Sequence, residues 1–297
     1  MKKNRIYKII AAAAAAVVIS AQLAAVNAAE FNLKYVASEQ FSQTQGENQW
    51  YYQIYKSGEY VDMDFDAKTG QWSAADTGGT YITRESFHPG NKINTARVWE
   101  AETSGVVRLT PQGNVRKGGI GGVGVTTKII KNGEVLWSQF IEGTDNIGFG
   151  YSIDTEVSAG ERIYFEVSTE SVAYGATTWN PTVAYVQTCE FTAGGSRVNS
   201  MSELGYGDTL TCTLYDEIAI DEEACAYLAV YDSEGRLRAL SERLEFAFAA
   251  DSSRYVETSV TLNAQSESYD GWSAELIVIA NHDGRSYPID ISDKICL

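Results

Sequence analysis

Phe41-Ser42-Gln43-Thr44-Gln45-Gly46-Glu47-Asn48-Gln49-Trp50-Tyr51-Tyr52-Gln53-Ile54-Tyr55, followed shortly by Val61-Asp62-Met63-Asp64-Phe65-Asp66, packs aromatic, amide and carboxylate side chains into one short run. Its period is two. In an extended chain Trp50 and Tyr52 lie on one face and Tyr51 on the other. One face is core, so at most half of the cluster can meet a ligand.

The same signature continues outward. Short runs rich in Val, Ile, Thr, Tyr and Trp recur between Gly, Asn and Asp, and nothing shows helical period over three turns. Strands are expected over residues 96–99, 105–110, 126–130, 135–138, 151–157, 162–168 and 178–186. Asn132-Gly133 accepts positive φ at both central positions of a type I′ turn and so joins two of them as a hairpin. Gly118-Gly119-Ile120-Gly121-Gly122-Val123-Gly124 lacks the Lys-Ser/Thr ending and the following helix of a phosphate loop, and reads as a loop between strands.

A more acidic unit begins near Cys189: residues 188–297 hold 20 Asp/Glu and 7 Lys/Arg. Strands are expected over 209–215, 225–231, 236–247, 255–263 and 274–280, with turns at Asp232-Ser233-Glu234-Gly235 and Asn281-His282-Asp283-Gly284. Strands at this spacing suggest an immunoglobulin-like or fibronectin-like sandwich. The expected chain is therefore all-β: a signal peptide at 1–28, a lead-in at 29–37, a first β unit at 38–187 and an immunoglobulin-like β-sandwich at 188–297.

Lys2, Lys3, Arg5 and Lys8 make the positive start of that signal, an apolar run follows, and Val26-Asn27-Ala28 predicts cleavage after Ala28. The run approaches the ~20 residues of a membrane span. Its consecutive alanines leave it weakly apolar, so a secreted, extracellular protein with no membrane insertion after cleavage is expected. The full chain has a net charge of −16, which becomes −20 when the four basic residues of the signal leave. Such an acidic surface repels phosphate backbones and excludes nucleic acid as a partner. It also disfavours anionic polysaccharides unless calcium bridges the two. Cys189, Cys212, Cys225 and Cys296 allow three disulfide pairings, or four buried thiols. Cys189 with Cys296 would close the second unit.

The first unit resembles an accessory β-sandwich module of large secreted polysaccharide-degrading and cell-surface proteins of Gram-positive, gut-type bacteria. The resemblance is carried by Phe41-Ser42, Gln45-Gly46, Asn48, Trp50 and Tyr52, then His88-Pro89-Gly90, Ala96-Arg97-Val98-Trp99 and Gly105-Val106-Val107-Arg108. Gly124-Val125, Ile129, Lys131-Asn132-Gly133, Val135, Trp137, Gly160, Ile163-Tyr164-Phe165 and Trp179-Asn180-Pro181-Thr182-Val183 with Tyr185 complete it. Ala229-Val230-Tyr231-Asp232 with Gly235-Arg236-Leu237 resembles, more weakly, the small sandwich that ends such proteins. The resemblance implies that 38–187 is a jelly-roll-like β-sandwich with a carbohydrate-binding or surface-display role and without catalysis.

Glycan sites on β-sandwiches use flat aromatic faces against sugar rings and amides or carboxylates for hydroxyls. Trp50, Trp99 and Trp137 sit in strands and read as core. Trp72 and Tyr81 in loop-like sequence, Trp179 before Asn180-Pro181, and Tyr51 are the candidate ligand-binding residues. Asp62, Asp64 and Asp66 alternate with Val61, Met63 and Phe65. They offer one strand face of oxygen ligands for a structural Ca²⁺, against the plainer reading of a solvated face. No other cofactor is expected.

Enzyme signatures are thin. The two histidines, His88 and His282, stand in turn-like sequence, and no Gly-x-Ser-x-Gly elbow is present. With 39 acidic residues, proximity of two carboxylates carries no signal for glycoside hydrolysis. The expected function is non-catalytic binding of neutral or weakly charged polysaccharide, with an extracellular protein–protein module as the alternative and a small hydrolase or lyase behind both.

Overall fold

The computed structural model describes residues 33–297 apart from 76, 172, 174, 217–222, 248–254, 264–267, 283–284, 290–294 and 297. The expected signal peptide, residues 29–32 of the lead-in and part of the expected 281–284 turn lie outside the described residues. In chain order the strands begin with β1 (Lys34–Val36), β2 (Trp50–Lys56), β3 (Glu59–Asp62), β4 (Asp64–Asp66), β5 (Gln71–Ser73), β6 (Tyr81–Ile82), β7 (Ser86–His88) and β8 (Asn94–Glu100). They continue with β9 (Gly105–Pro111), β10 (Arg116–Lys117), β11 (Val125–Lys131), β12 (Glu134–Ile141), β13 (Ile153–Val157), β14 (Arg162–Ser168), β15 (Thr177–Thr178), β16 (Pro181–Ala193) and β17 (Ser196–Arg197). The last are β18 (Thr209–Asp216), β19 (Glu223–Tyr231), β20 (Leu237–Leu240), β21 (Leu244–Ala247), β22 (Tyr255–Thr261), β23 (Ser273–His282), β24 (Arg285–Ile289) and β25 (Ile295–Cys296). Two 3₁₀ turns, Glu47–Gln49 and Met201–Glu203, are the helical elements among the described residues. The chain is all-β, as its alternation dictates.

Four antiparallel sheets form. Sheet I has the order β12-β11-β14-β8-β2-β3, and sheet II runs β13-β9-β16-β18-β22, with β1 and β17 also on β16. Sheet III runs β10-β15-β7-β6-β5-β4; sheet IV runs β20-β19-β23-β24, with β21 on β19 and β25 on β23. A first core lies among sheets I, II and III and holds Trp50, Tyr52, Trp72, Phe87, Trp99, Leu109, Phe165, Trp179 and Tyr185. A second lies between the far part of sheet II and sheet IV and holds Phe191, Leu210, Leu214, Leu228, Trp272 and Leu276. The 13-residue strand β16 serves both. Its first half pairs β9 and its second half pairs β18, so residues 187 and 188 stand inside one continuous strand.

The local expectations hold where chemistry is strongest. Asn132 and Gly133 take φ of 50° and 79° in the β11–β12 hairpin. Val107 and Leu109 are buried while Val106 and Arg108 face outward. Expected strand 236–247 is split into β20 and β21. The turn before β20 is built on Asp232, whose carboxylate accepts the backbone N–H of Glu234 and Arg236 and the Nε of Arg236 and Arg238 at 2.7–3.0 Å. Burial pushes this carboxyl up. The Arg236 N–H, the two guanidinium groups and the Glu234 N–H outweigh that and hold it well below the usual carboxylate range.

Two details tie the first core together. Gln45 works as a strand residue made from a side chain: its Oε1 accepts from Tyr52 N at 2.8 Å and its Nε2 donates to Tyr52 O and Met63 O at 2.8 and 3.1 Å. That clamp sits where the chain leaves sheet I at Met63 and enters sheet III. The neighbouring Gly46 has φ 78°, and a Cβ there would stand 3.0 Å from the Tyr51 ring. Arg97 of β8 is fully buried. Its Nη2 donates to the carbonyls of Thr83 and Arg84, and its guanidinium lies 4.8 Å from the Phe87 ring, which joins sheet I to sheet III. Burial pushes its pKa down to about 10, so it remains charged at neutral pH.

Candidate functional site

Alternation on sheet I separates two surfaces. Inward go Trp50, Tyr52 and Ile54, then Thr95, Arg97 and Trp99, then Ile163, Phe165 and Val167, and finally Val125, Thr127 and Ile129; all are buried. Outward, the register lays side chains in rows across the strands. One row is Tyr60, Tyr55 and Asn94, continued by Ser168, Thr126 and Phe140. The next is Asp62, Gln53, Ala96, Glu166, Lys128 and Ser138. The third is Tyr51, Val98, Tyr164, Ile130 and Val135.

The central strand β8 contributes only Ala96 and Val98 to the middle of this face, and their short side chains leave a trough. Tyr60 lies across it. Starting from β3, its hydroxyl reaches β14 and donates to Glu166 Oε2 at 2.9 Å, while its ring stands 4.3 Å from that of Tyr164 and 4.8 Å from that of Tyr55. The result is an aromatic strip, Tyr55–Tyr60–Tyr164, each ring half-buried, with a carboxylate beneath it that is 3% exposed. Burial and the neighbouring Glu166 push the Tyr60 phenol pKa up, so it remains a donor. Gln53 donates to Asp62 at 2.7 Å, and its Oε1 has no hydrogen-bond partner among the described residues. Tyr51 lies under the Arg162 guanidinium at 4.2 Å, which in turn is bound to Glu100 at 2.7 Å.

The first row runs into a groove of about 500 Å³. Tyr55, Asn94, Thr126, Phe140 and Ser168 form its floor, and Ser57, Lys92, Val123 to Val125, Thr169 and Glu170 its walls. The glycine-rich loop supplies one wall and is held in place: Gly121 N donates to Gly143 O at 2.6 Å. A Cβ on Gly143 would stand 2.1 Å from Gly122 O and one on Gly124 2.6 Å from Ile141 O, so close backbone approach explains these two glycines.

The sequence candidates are dispersed. Trp72 is a core residue, 3% exposed, stacked on Tyr52 at 4.8 Å with its Nε1 donating to Ser42 O at 3.0 Å. The exposed position expected for it is corrected: Gly70 makes the tight turn, but Gln71–Ser73 is a strand whose centre faces inward. Trp179, whose place before Asn180-Pro181 fitted core and ligand face alike, is core. It is 0% exposed, donates to the Tyr151 hydroxyl at 3.0 Å and packs on Phe87, Trp137 and Phe165. Tyr81 is half-buried on sheet III, stacked on His88 at 4.7 Å. Of the four, Tyr51 belongs to the outer face of sheet I.

Asp62, Asp64 and Asp66 do not share one strand face, because the chain changes sheets at Met63. Asp62 is on β3 with Gln53; Asp64 and Asp66 are on β4, and Asp66 accepts from Lys68 N and Thr69 Oγ1 in its own turn. Among the described residues no group of three or more His, Cys, Asp or Glu is placed to hold a metal ion. Sequence reasoning missed Gln53, Tyr55, Tyr60, Tyr164 and Glu166. The alternation that set Tyr51 apart from Trp50 and Tyr52 extends to Gln53 and Tyr55, but Tyr60 crossing to Glu166 depends on strand order.

The sequence matches no protein-family model and no curated protein. Among solved structures it is similar to a glycosyl hydrolase family 2 member from Bacteroides cellulosilyticus, at 8% identity and TM-score 0.28 over 81% of this chain and 34% of that one. A calcium-binding mutant of Bacteroides uniformis β-glucuronidase 2 aligns at 11% identity and TM-score 0.29 over 86% of this chain and 32% of that one. An anti-sigma factor domain-containing protein aligns at 8% identity and TM-score 0.24 over 82% and 97%. The chain thus spans about a third of the length of the two glycosidase structures. Superpositions this loose transfer no residue, and the functional reading rests on the sheet face itself.

Proposed function

We propose that this chain is an extracellular, non-catalytic module that binds neutral or weakly charged polysaccharide on the outer face of sheet I. The observation that carries the reading is the Tyr55–Tyr60–Tyr164 strip over Glu166, leading into the groove. Half-buried phenol rings held by packing and by one charge-assisted hydrogen bond offer sugar faces a platform with little ordering cost. Asp62, Asn94 and Ser168 supply donors and acceptors for hydroxyls around it, with Gln53 buried beneath and holding Asp62. The net acidity favours an uncharged chain over an anionic one.

Catalysis is not part of the proposal. Asp62 and Glu166 share a row on strands three apart, about 14 Å between backbones at ordinary strand spacing. A second reading, a protein partner, is favoured by the exposed apolar side chains Val123 and Phe140, which line the groove, together with exposed Ile120 and Ile147 elsewhere on the surface.

Affinity electrophoresis through gels containing plant, host and microbial polysaccharides tests both. Retardation by a neutral glycan, lost in Tyr164→Ala with Tm nearly unchanged, is the expected result. Unretarded migration of the wild type in every gel removes the glycan reading and leaves the protein partner to be sought.

A further inference from the structure

Cys189 of β16 lies opposite Leu214 of β18, and Cys212 lies opposite Phe191. The two cysteines are diagonal neighbours on one face of an antiparallel pair. That face is the second core: Cys212 is one of its buried members and Cys189 packs against it, partly exposed. Diagonal neighbours stand roughly 7–8 Å apart at Cα against a disulfide range of ~4.4–6.8 Å, so closure asks for a movement on the order of an ångström.

The other two cysteines have no such geometry with each other. Cys225 of β19 is opposite Ile279 and Cys296 of β25 is opposite Ser273, both on β23. That offset of six residues is about 20 Å along the strand. Ala224 and Ala226 face the second core, so alternation turns Cys225 away from it and from Cys212.

We propose that Cys189 and Cys212 form a disulfide that staples β16 to β18 and fixes the strand shared by both cores. A low-molecular-weight disulfide such as oxidised glutathione supplies the oxidising equivalents. The Cys189 thiolate, the more accessible of the two, attacks one oxidant sulfur, forming a mixed disulfide and releasing one thiol. Cys212 then loses its proton and displaces the second thiol. Two protein S–H bonds are lost, one S–S bond forms, and the oxidant leaves as two thiols. Burial pushes the Cys212 thiol pKa up, so this second step is the slow one.

The test is non-reducing peptide mapping of the full chain after incubation with oxidised glutathione and alkylation. One linked peptide pair containing Cys189 and Cys212 is expected, with Cys225 alkylated only after unfolding. Oxidation should also raise Tm, and the rise should vanish in Cys189→Ala. A bridge from Cys189 to Cys225 or Cys296, or four alkylated thiols with no linked pair, overturns the assignment. If Cys189→Ala fails to fold, Cys212→Ser must show a stable glutathione adduct on Cys189; no adduct there also overturns it.

Discussion

The two faces of sheet I are written by the same strands and do opposite things. On β2 the inward residues Trp50 and Tyr52 are 0% exposed, while outward Tyr51 and Tyr55 are half-buried. Inward aromatics meet other aromatics: Trp50 stands 6.0 Å from Phe165, and Tyr52 stacks on Trp72 at 4.8 Å. Outward aromatics meet polar and charged groups, Tyr60 with Glu166 and Tyr51 with Arg162. Aromatic content alone therefore says nothing about ligand binding; exposure decides it. Tyr35 also donates to a carboxylate, that of Glu102, yet is core at 2% exposed, while Tyr55, Tyr60 and Tyr164 are half-buried on the outer face.

The contrast breaks most severely at the inner face. Trp50→Ala should cost about 3–5 kcal/mol, a large part of a domain's stability, read as a fall in denaturation midpoint. On the outer face Tyr164→Ala should weaken glycan retention roughly tenfold, about 1.4 kcal/mol, while moving the midpoint far less. Tyr60→Phe sharpens the comparison further. It keeps the ring but leaves Glu166 buried without that donor, at a cost of about 1–3 kcal/mol in stability.

A smaller effect tests the glycine against Tyr51. Gly46→Ala, at φ 78° and against the Tyr51 ring, should cost about 1 kcal/mol and disturb the Tyr51–Arg162 stack. Away from sheet I, Asp232→Asn should lower Tm at neutral pH. A carboxyl held below its unfolded pKa contributes stability above that pKa and loses it as pH falls through the folded value. The gap between wild type and variant should therefore begin to narrow below about pH 4 and close only as pH falls to the folded value, read in thermal melts. Tyr81→Ala, on sheet III, should leave glycan retention unchanged.

Much of this architecture was legible in the sequence because its signals are local. Asn132-Gly133 could only turn, and Gly105 to Thr110 could only alternate. The strands holding Trp50 and Trp99 announced core. What stayed hidden depended on strand order. Trp72 follows a glycine turn and looks exposed, yet it closes the first core because β5 faces Tyr52. Asp62, Asp64 and Asp66 look like one ladder, yet the Gln45 clamp and the exit at Met63 divide them between two sheets. Tyr60 and Glu166, 106 residues apart, share no local pattern; β3 and β14 must first be placed on either side of small Ala96. The chain passes from the first core to the second inside β16, between Tyr185 and Phe191.

The most direct measurement is a titration of tyrosine-ring-labelled protein with an oligosaccharide of whichever glycan is retained, followed by NMR. The account predicts that the ring signals of Tyr55, Tyr60 and Tyr164 move together, with Tyr51 beside them, while those of Tyr35, Tyr52 and Tyr185 stay fixed. Movement confined to Tyr81, or to tyrosines of the second sandwich such as Tyr206 and Tyr255, would contradict it.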